Sequence, residues 1–307
     1  MKRAAFIILV FILGISATPV QRSVNALDAK GGALENSTWG MLAVNFQGDT
    51  LAQLNKGKRL TPASNMKLVT TAAAYLKLGR NYTFKTQIAT DGSIQDSTLV
   101  GNLYIIGGGD PLIGDLFTYL PSEDVPFGKW RKVLEDNGIR RIEGDIVGDG
   151  SYFSGERRHS DWSTEDEVSK DGVVPAGLTW RGEMGDSIPD GPLAAATHFR
   201  RWLIENGVPV SGAAGEGSVD SLTVLGIAQS ASLNHIASIT NHQSDNFCAE
   251  TLLKAIGKAN NGSDDYDTAT ENSGNGPDKE LYFQCRLVIS ETHPSRWFSS
   301  ISPFAVA

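Results

Sequence analysis

A serine followed three residues later by a lysine, Ser64-Asn65-Met66-Lys67, has the residue types and spacing for covalent chemistry. On a helix, positions i and i+3 share a face, so the lysine amine would stand close enough to take the serine hydroxyl proton. A lysine that acts as a base near neutral pH needs its pKa lowered, and burial against an apolar helix is one way to lower it. Met66, Leu68, Val69 and Ala72 offer such surroundings. Ser64 would also lie in the first helical turn, where the helix dipole favours developing negative charge. The plainer alternative is a capping serine beside a solvated lysine, because on the order of one chance Ser-x-x-Lys is expected in a chain of this length. A second candidate group, Ser244-Asp245-Asn246, lies far downstream. All three of its residue types are good helix caps, so an N-cap turn is the alternative there, and capping and catalysis can coexist.

The elements that must position these residues are partly legible. Pro62 opens a segment, 64–78, whose apolar residues cover most of a helical circumference before Gly79, which predicts a central, buried helix. Upstream, residues 38–46 read as a mostly buried strand, 47–50 as a turn and 51–55 as the return strand of a hairpin. Between residues 80 and 219 the texture changes to short strands and glycine-bounded turns, with strand-like runs at 98–106 and 141–147. Two amphipathic stretches, 128–137 and 192–206, each end in an Asn-Gly pair. The triple glycine 107–109 is not followed by Gly-Lys-Ser/Thr and reads as a turn feeding Asp110-Pro111 rather than as a phosphate loop. Residues 233–256 return to a core-like helical pattern around Ser244-Asp245-Asn246, and 260–279 are acidic and poor in apolar residues, as in a loop or linker.

Bulk properties exclude several classes. The chain has 307 residues, 40% of them hydrophobic, enough for a substantial core and about two domains. A formal net charge of -8 argues against a nucleic-acid partner, which calls for concentrated Lys and Arg. Met1-Lys2-Arg3, an apolar run over 4–15 and the small Ser16 and Ala17 form the pattern of a secretory signal, residues 1–17, and the run is too short for a spanning helix. The expectation is an exported, periplasmic protein with no integral membrane span once the signal is removed. Two cysteines, Cys248 and Cys285, are too few for a disulfide framework and lack zinc-site spacing, so no metal or other cofactor is expected; Cys248 reads as a small buried side chain.

Ser-x-x-Lys together with Ser-Asp-Asn is two thirds of the set found in class A β-lactamases and penicillin-binding proteins. The stretch 60–74, Leu-Thr-Pro-Ala-Ser-Asn-Met-Lys-Leu-Val-Thr-Thr-Ala-Ala-Ala, resembles the serine-helix signature of the D-alanyl-D-alanine carboxypeptidase/endopeptidase of the penicillin-binding protein 4 type. Residues 107–111, 144–149 and 243–253 resemble further segments of that family, and the likeness runs from about residue 34 to 257. A class A β-lactamase keeps its two motifs much closer, whereas here an inserted region separates them, as in this family. The resemblance implies an α/β fold with a β-lactamase/transpeptidase-like sheet flanked by helices and a mostly β inserted domain. It implies a transpeptidase-like domain over 18–90 and 220–257, an insert over 91–219, and a linker and divergent tail over 258–307. It also implies peptidoglycan stem peptides as substrates and β-lactams as inhibitors. Ser64 would attack the carbonyl and form an acyl-enzyme, Lys67 would be its base, Ser244 would relay a proton to the leaving amine, and Asn246 would hydrogen-bond the substrate amide.

The pattern breaks at the third motif. No Lys-Ser/Thr-Gly follows Asn246. In the family that strand holds the terminal carboxylate and supplies an oxyanion donor, whose loss costs about 10²- to 10³-fold in rate. The expectation is that the chain is truncated, or diverges through a change of reading frame, after about Gly257. Two further readings accompany the peptidase: a catalytically inactive cell-wall or penicillin-binding module, and an exported esterase using Ser64 and Lys67.

Overall fold

A computed structural model describes residues 17–28, 37–60, 62–114, 126–155, 175–180 and 191–264. The secretory signal apart from Ala17, most of the linker, the tail and Cys285 lie outside the described residues. The chain divides into two compact units, one over residues 1–65 with 293–307 and one over 66–292.

In the first unit, helix α1 (Ala17–Asp28) packs on a hairpin of strands β1 (Met41–Val44) and β2 (Thr50–Leu54), with Val24 buried against Ala43 and Ala52. The register pairs Met41 with Leu54 and Ala43 with Ala52. Asn45 organises the turn: its Oδ1 accepts the N–H groups of Gln47 and Asp49 at 3.0 and 2.8 Å. Such a side-chain acceptor fixes a turn where no glycine pair is present. Gln21 of α1 treats Gln53 as a strand would, accepting its N–H at 2.9 Å and donating to its carbonyl at 3.0 Å. The hairpin is as expected, but β1 is not mostly buried: Leu42, Val44 and Phe46 are exposed, because α1 covers one face only and side chains alternate along a strand. A short 3-10 turn, Ala63–Asn65, closes this unit.

The second unit begins with helix α2 (Met66–Leu78) and holds a five-stranded sheet. Its strands are β3 (Lys85–Thr90), β6 (Leu103–Ile106), β8 (Ile146–Asp149), β9 (Ala214–Glu216) and β10 (Thr223–Gln229), in the order β10-β3-β6-β8-β9. The β10-β3-β6 ladders are antiparallel and the β6-β8-β9 ladders parallel. Strands β4 (Ser93–Gln95), β5 (Thr98–Val100) and β7 (Arg141–Glu143) form a smaller sheet. Thus 98–106 and 141–147 each resolve into two strands split at Gly101 and Gly144, where a Cβ on Gly144 would meet the Gly101 carbonyl at 2.1 Å.

Helices α3 (Pro126–Asp136) and α4 (Pro192–Glu205) are the two amphipathic stretches, each followed by Asn-Gly with the glycine at positive φ. Phe127, Trp130, Leu134, Phe199 and Leu203 from these helices join Ile88, Leu103, Ile105 and Ile146 of the sheet in the larger core. A second core lies among α2, α5 (Leu233–His242) and α6 (Asn246–Asn261), built from Ala73, Ala74, Leu233, Ile236, Cys248, Leu252 and Ile256. Phe84, Leu112 and Phe153 enter the same cluster, so the triple-glycine turn leads directly into it. Close approach explains the glycines: a Cβ on Gly108 would meet the Lys85 carbonyl at 2.1 Å, and Gly109 has φ +89 against the Phe153 ring. Helix α2 buries one face, including Lys67, Thr70, Thr71 and Ala74, while Leu68 and Leu76 stay exposed. Its apolar circumference therefore overstates its burial.

Candidate active site

Lys67 is the second residue of α2 and is only 3% exposed. Its neighbours Met66 and Val69 pack against Ala249 of α6, so the first turns of the two helices meet. Apolar packing of this kind strips water from the lysine stem. The next turn of α2 carries Thr71, whose hydroxyl donates to the Lys67 carbonyl at 2.9 Å.

Ser64 occupies the 3-10 turn Ala63–Asn65 rather than the first turn of the α-helix, which starts at Met66; the helix extends two residues less toward the N-terminus than its apolar pattern. The reason is local. Asn65 closes the turn on Pro62, donating to the Pro62 carbonyl from its N–H at 3.2 Å and from Nδ2 at 2.8 Å. Ser64 is exposed, and the residue before it, Ala63, holds φ 46. That is a left-handed conformation in which a Cβ is strained.

Ser244 and Asn246 flank the junction of α5 and α6, and both are exposed. Helix α5 ends in two backbone bonds, the last helical one from Gln243 N–H to the Ile239 carbonyl at 2.9 Å and one from Asp245 N–H to the Thr240 carbonyl at 3.1 Å. The second bond reaches from just beyond the helix end back into its last turn, the Schellman geometry, which places the residue between in the left-handed region. That residue is Ser244, with φ 55, where glycine is the usual occupant. Asp245 then caps α6, its Oδ1 accepting the Cys248 N–H at 2.8 Å, and Asn246 is the first residue of α6. The capping reading of Ser-Asp-Asn therefore holds for Asp245, and it leaves Ser244 and Asn246 with outward-facing positions.

A side-chain link not anticipated from the sequence joins the helices around the site. Asn241, in the last turn of α5, donates from Nδ2 to the Thr71 hydroxyl at 3.1 Å. Asp110, at the end of the triple-glycine turn, is buried and accepts the Leu112 N–H at 2.9 Å. Burial pushes its carboxyl up to about 6 against the pull of that N–H and of Lys129. Among the described residues no group of three or more His, Cys, Asp or Glu side chains lies together as a metal site.

Three comparisons with known proteins bear on the fold and the family. The family model of the D-Ala-D-Ala carboxypeptidase 3 (S13) family matches residues 20–184 and 171–274. A D-alanyl-D-alanine carboxypeptidase of an Actinomadura species is 33% identical over 155 residues, half of this chain and 27% of that protein. The D-alanyl-D-alanine carboxypeptidase DacB of Haemophilus influenzae is 32% identical over 160 residues, 51% of this chain and 31% of that protein. The match thus spans less than a third of either relative's own length. The crystal structure of penicillin binding protein 4 (dacB) from Haemophilus influenzae superposes with a TM-score of 0.56 at 19% identity, covering 80% of this chain and 66% of that one, a likeness of fold. The α/β fold read from the sequence and the penicillin-binding protein 4 type resemblance both stand. The chain belongs to the D-Ala-D-Ala carboxypeptidase 3 (S13) family.

Proposed function

We propose that this chain is a serine-type D-alanyl-D-alanine carboxypeptidase/endopeptidase acting on peptidoglycan stem peptides, with Ser64 as nucleophile, Lys67 as its base, Ser244 as proton relay and Asn246 as a substrate-amide ligand. The Ser64 Oγ attacks the carbonyl carbon of the scissile amide and its proton passes to the Lys67 amine. The C–N bond then breaks, the leaving amine takes a proton through Ser244, and water hydrolyses the resulting ester. The observation that carries this reading is the buried Lys67 at the start of α2, packed through Met66 and Val69 against Ala249 of the helix that Ser244 and Asn246 lead into. The secretory pattern of residues 1–17 supports an exported, periplasmic protein, and among the described residues no helix is long and apolar enough to cross a membrane. The division into 18–90 with 220–257 and an insert over 91–219 stays a proposal: Thr90 pairs with Thr223, which sets the two ends of the insert side by side, but β3 and β10 also share one sheet with β6, β8 and β9 of the insert.

A second reading is a module that recognises cell wall or penicillin without turnover. Fluorescent penicillin separates the two. The peptidase reading expects a covalent band that disappears in Ser64→Ala, since opening of the β-lactam ring leaves the acyl group on that oxygen. No band at saturating dose overturns it in favour of the binding module. Turnover of a small activated ester without β-lactam inhibition would instead point to an esterase.

A further inference from the structure

Lys67 and Ser244 stand on different helices, 177 positions apart in the sequence, and their mutual placement has to be set by something that joins α2 to the end of α5. Apolar packing holds helices together but tolerates small slides, whereas a hydrogen bond between side chains fixes register. The Thr71–Asn241 pair is such a bond. Thr71 is one turn along α2 from Lys67, and its hydroxyl donates to the Lys67 carbonyl at 2.9 Å while accepting from Asn241 Nδ2 at 3.1 Å. The hydroxyl donates into its own helix, to the Lys67 carbonyl with the Leu68 carbonyl at 3.2 Å beside it, and with one of its lone pairs accepts from α5, so it bridges the two helices. Asn241 in turn belongs to the last turn of α5, whose Thr240 carbonyl receives the Asp245 N–H that holds Ser244 left-handed. A continuous path of bonded groups therefore runs from the Lys67 backbone through Thr71 and Asn241 to the turn of Ser244. Thr71 itself is buried at 3% exposure, while Asn241 is exposed, so the bond lies at the edge of the helix contact.

We infer that Thr71 and Asn241 are positioning residues that fix the distance between the Lys67 amine and the Ser244 hydroxyl, and so set the rate of Ser64 acylation; this rests on the site reading proposed above. Misplacing a catalytic group by a fraction of an ångström to an ångström costs roughly 10- to 100-fold in rate, while affinity for the ligand need not change. Thr71→Val removes the hydroxyl at constant shape, Thr71→Ser keeps it, and Asn241→Leu removes the partner amide.

The test is the acylation rate constant and the non-covalent affinity for fluorescent penicillin, measured separately by stopped-flow on the full chain, with folding checked by circular dichroism. Thr71→Val and Asn241→Leu should each slow acylation about 10- to 100-fold at unchanged affinity, the double variant should be no slower than either single one, and Thr71→Ser should acylate like the parent. Folded Thr71→Val protein that acylates at the parent rate overturns the positioning role while leaving the site reading intact. Equal slowing in Thr71→Ser overturns it too, because a packing defect and not the hydroxyl would then be responsible. A parent chain that takes no label at all overturns the site reading, and the positioning role falls with it.

Discussion

Ser244 sits where an L-residue is uncomfortable. A left-handed backbone costs about 1 to 2 kcal/mol for a residue with a Cβ, and the Schellman turn that imposes φ 55 is satisfied by backbone bonds alone, so glycine would serve the turn better. Strain of this kind persists where a side chain is required for another reason. Ala63, with φ 46, sets a similar strain directly before Ser64. The expected outcome for Ser244→Gly is a trade between stability and function. Relief of the strain is set against about 0.5 to 1 kcal/mol of extra backbone entropy, leaving the variant as stable as the parent or up to about 1.5 kcal/mol more so. Penicillin acylation should nevertheless fall, because the hydroxyl proposed above as the proton relay is gone. Urea denaturation decides the first half: a loss of more than about 1 kcal/mol would mean that the serine side chain holds the turn and that no strain is stored there.

Among the elements, the end of α6 depends on a carboxylate that the local pattern hides. Lys254 is fully buried in that helix, and its amine donates to the Asp264 carbonyl at 3.0 Å and lies 3.5 Å from Asp264 Oδ2. The same carboxylate accepts the N–H groups of Ser154 and Gly155 at 3.1 and 2.9 Å, tying α6 to the segment after β8. Asp264→Ala should cost about 2 to 4 kcal/mol in chemical denaturation, because it removes the carboxylate that pairs with Lys254 and accepts the Ser154 and Gly155 N–H groups, while the Lys254 bond to the backbone carbonyl stays. A cost under about 1 kcal/mol would show that other groups satisfy the Lys254 amine. Asp264 also shows why part of the structure was not legible in the sequence. It falls in a stretch that reads as polar linker, and its amide partners lie about 110 positions upstream, a distance at which periodicity carries no information. Features set by nearby residues were readable: the hairpin, the Asn-Gly ends of α3 and α4, and the Ser-x-x-Lys and Ser-Asp-Asn positions. Apolar periodicity misjudged exposure for β1 and α2, since it reports how many faces are apolar and not how many have a neighbour. The left-handed Ser244 and the Thr71–Asn241 bond depend on where α5 stops and what it packs on, which no local pattern reports.

For the molecule as a whole, two of the buried carboxylates, Asp110 and Asp264, pull the pH dependence of stability in opposite directions and in different windows. Asp264 is pushed up by burial, but the Gly155 and Ser154 N–H groups and the Lys254 and Lys258 amines outweigh that and hold it below the usual carboxylate range. Its contribution is present above its unfolded pKa and is lost as pH falls through its folded one, so it weakens the protein only in strong acid. Asp110 behaves in the reverse sense. Burial raises it from 3.8 to about 6, so the folded chain binds its proton more tightly than the unfolded chain does. Stability from this group is therefore fully present below about pH 4 and is lost as pH rises through about 6. A shift of this size corresponds to about 3 kcal/mol across that window, at about 1.4 kcal/mol per unit. Asp110→Asn keeps an oxygen for the Leu112 N–H and removes the titration. Denaturation of the two proteins from pH 4 to pH 7 should show them nearly equal at the acid end, with the asparagine variant gaining on the parent by on the order of 2 to 3 kcal/mol at the neutral end. The net charge of -8 adds a background common to both, so only the difference between the curves reports Asp110. Parallel curves would mean that the folded protein ionises Asp110 as readily as the unfolded one, and that the close of the glycine turn onto Leu112 carries no electrostatic cost at neutral pH.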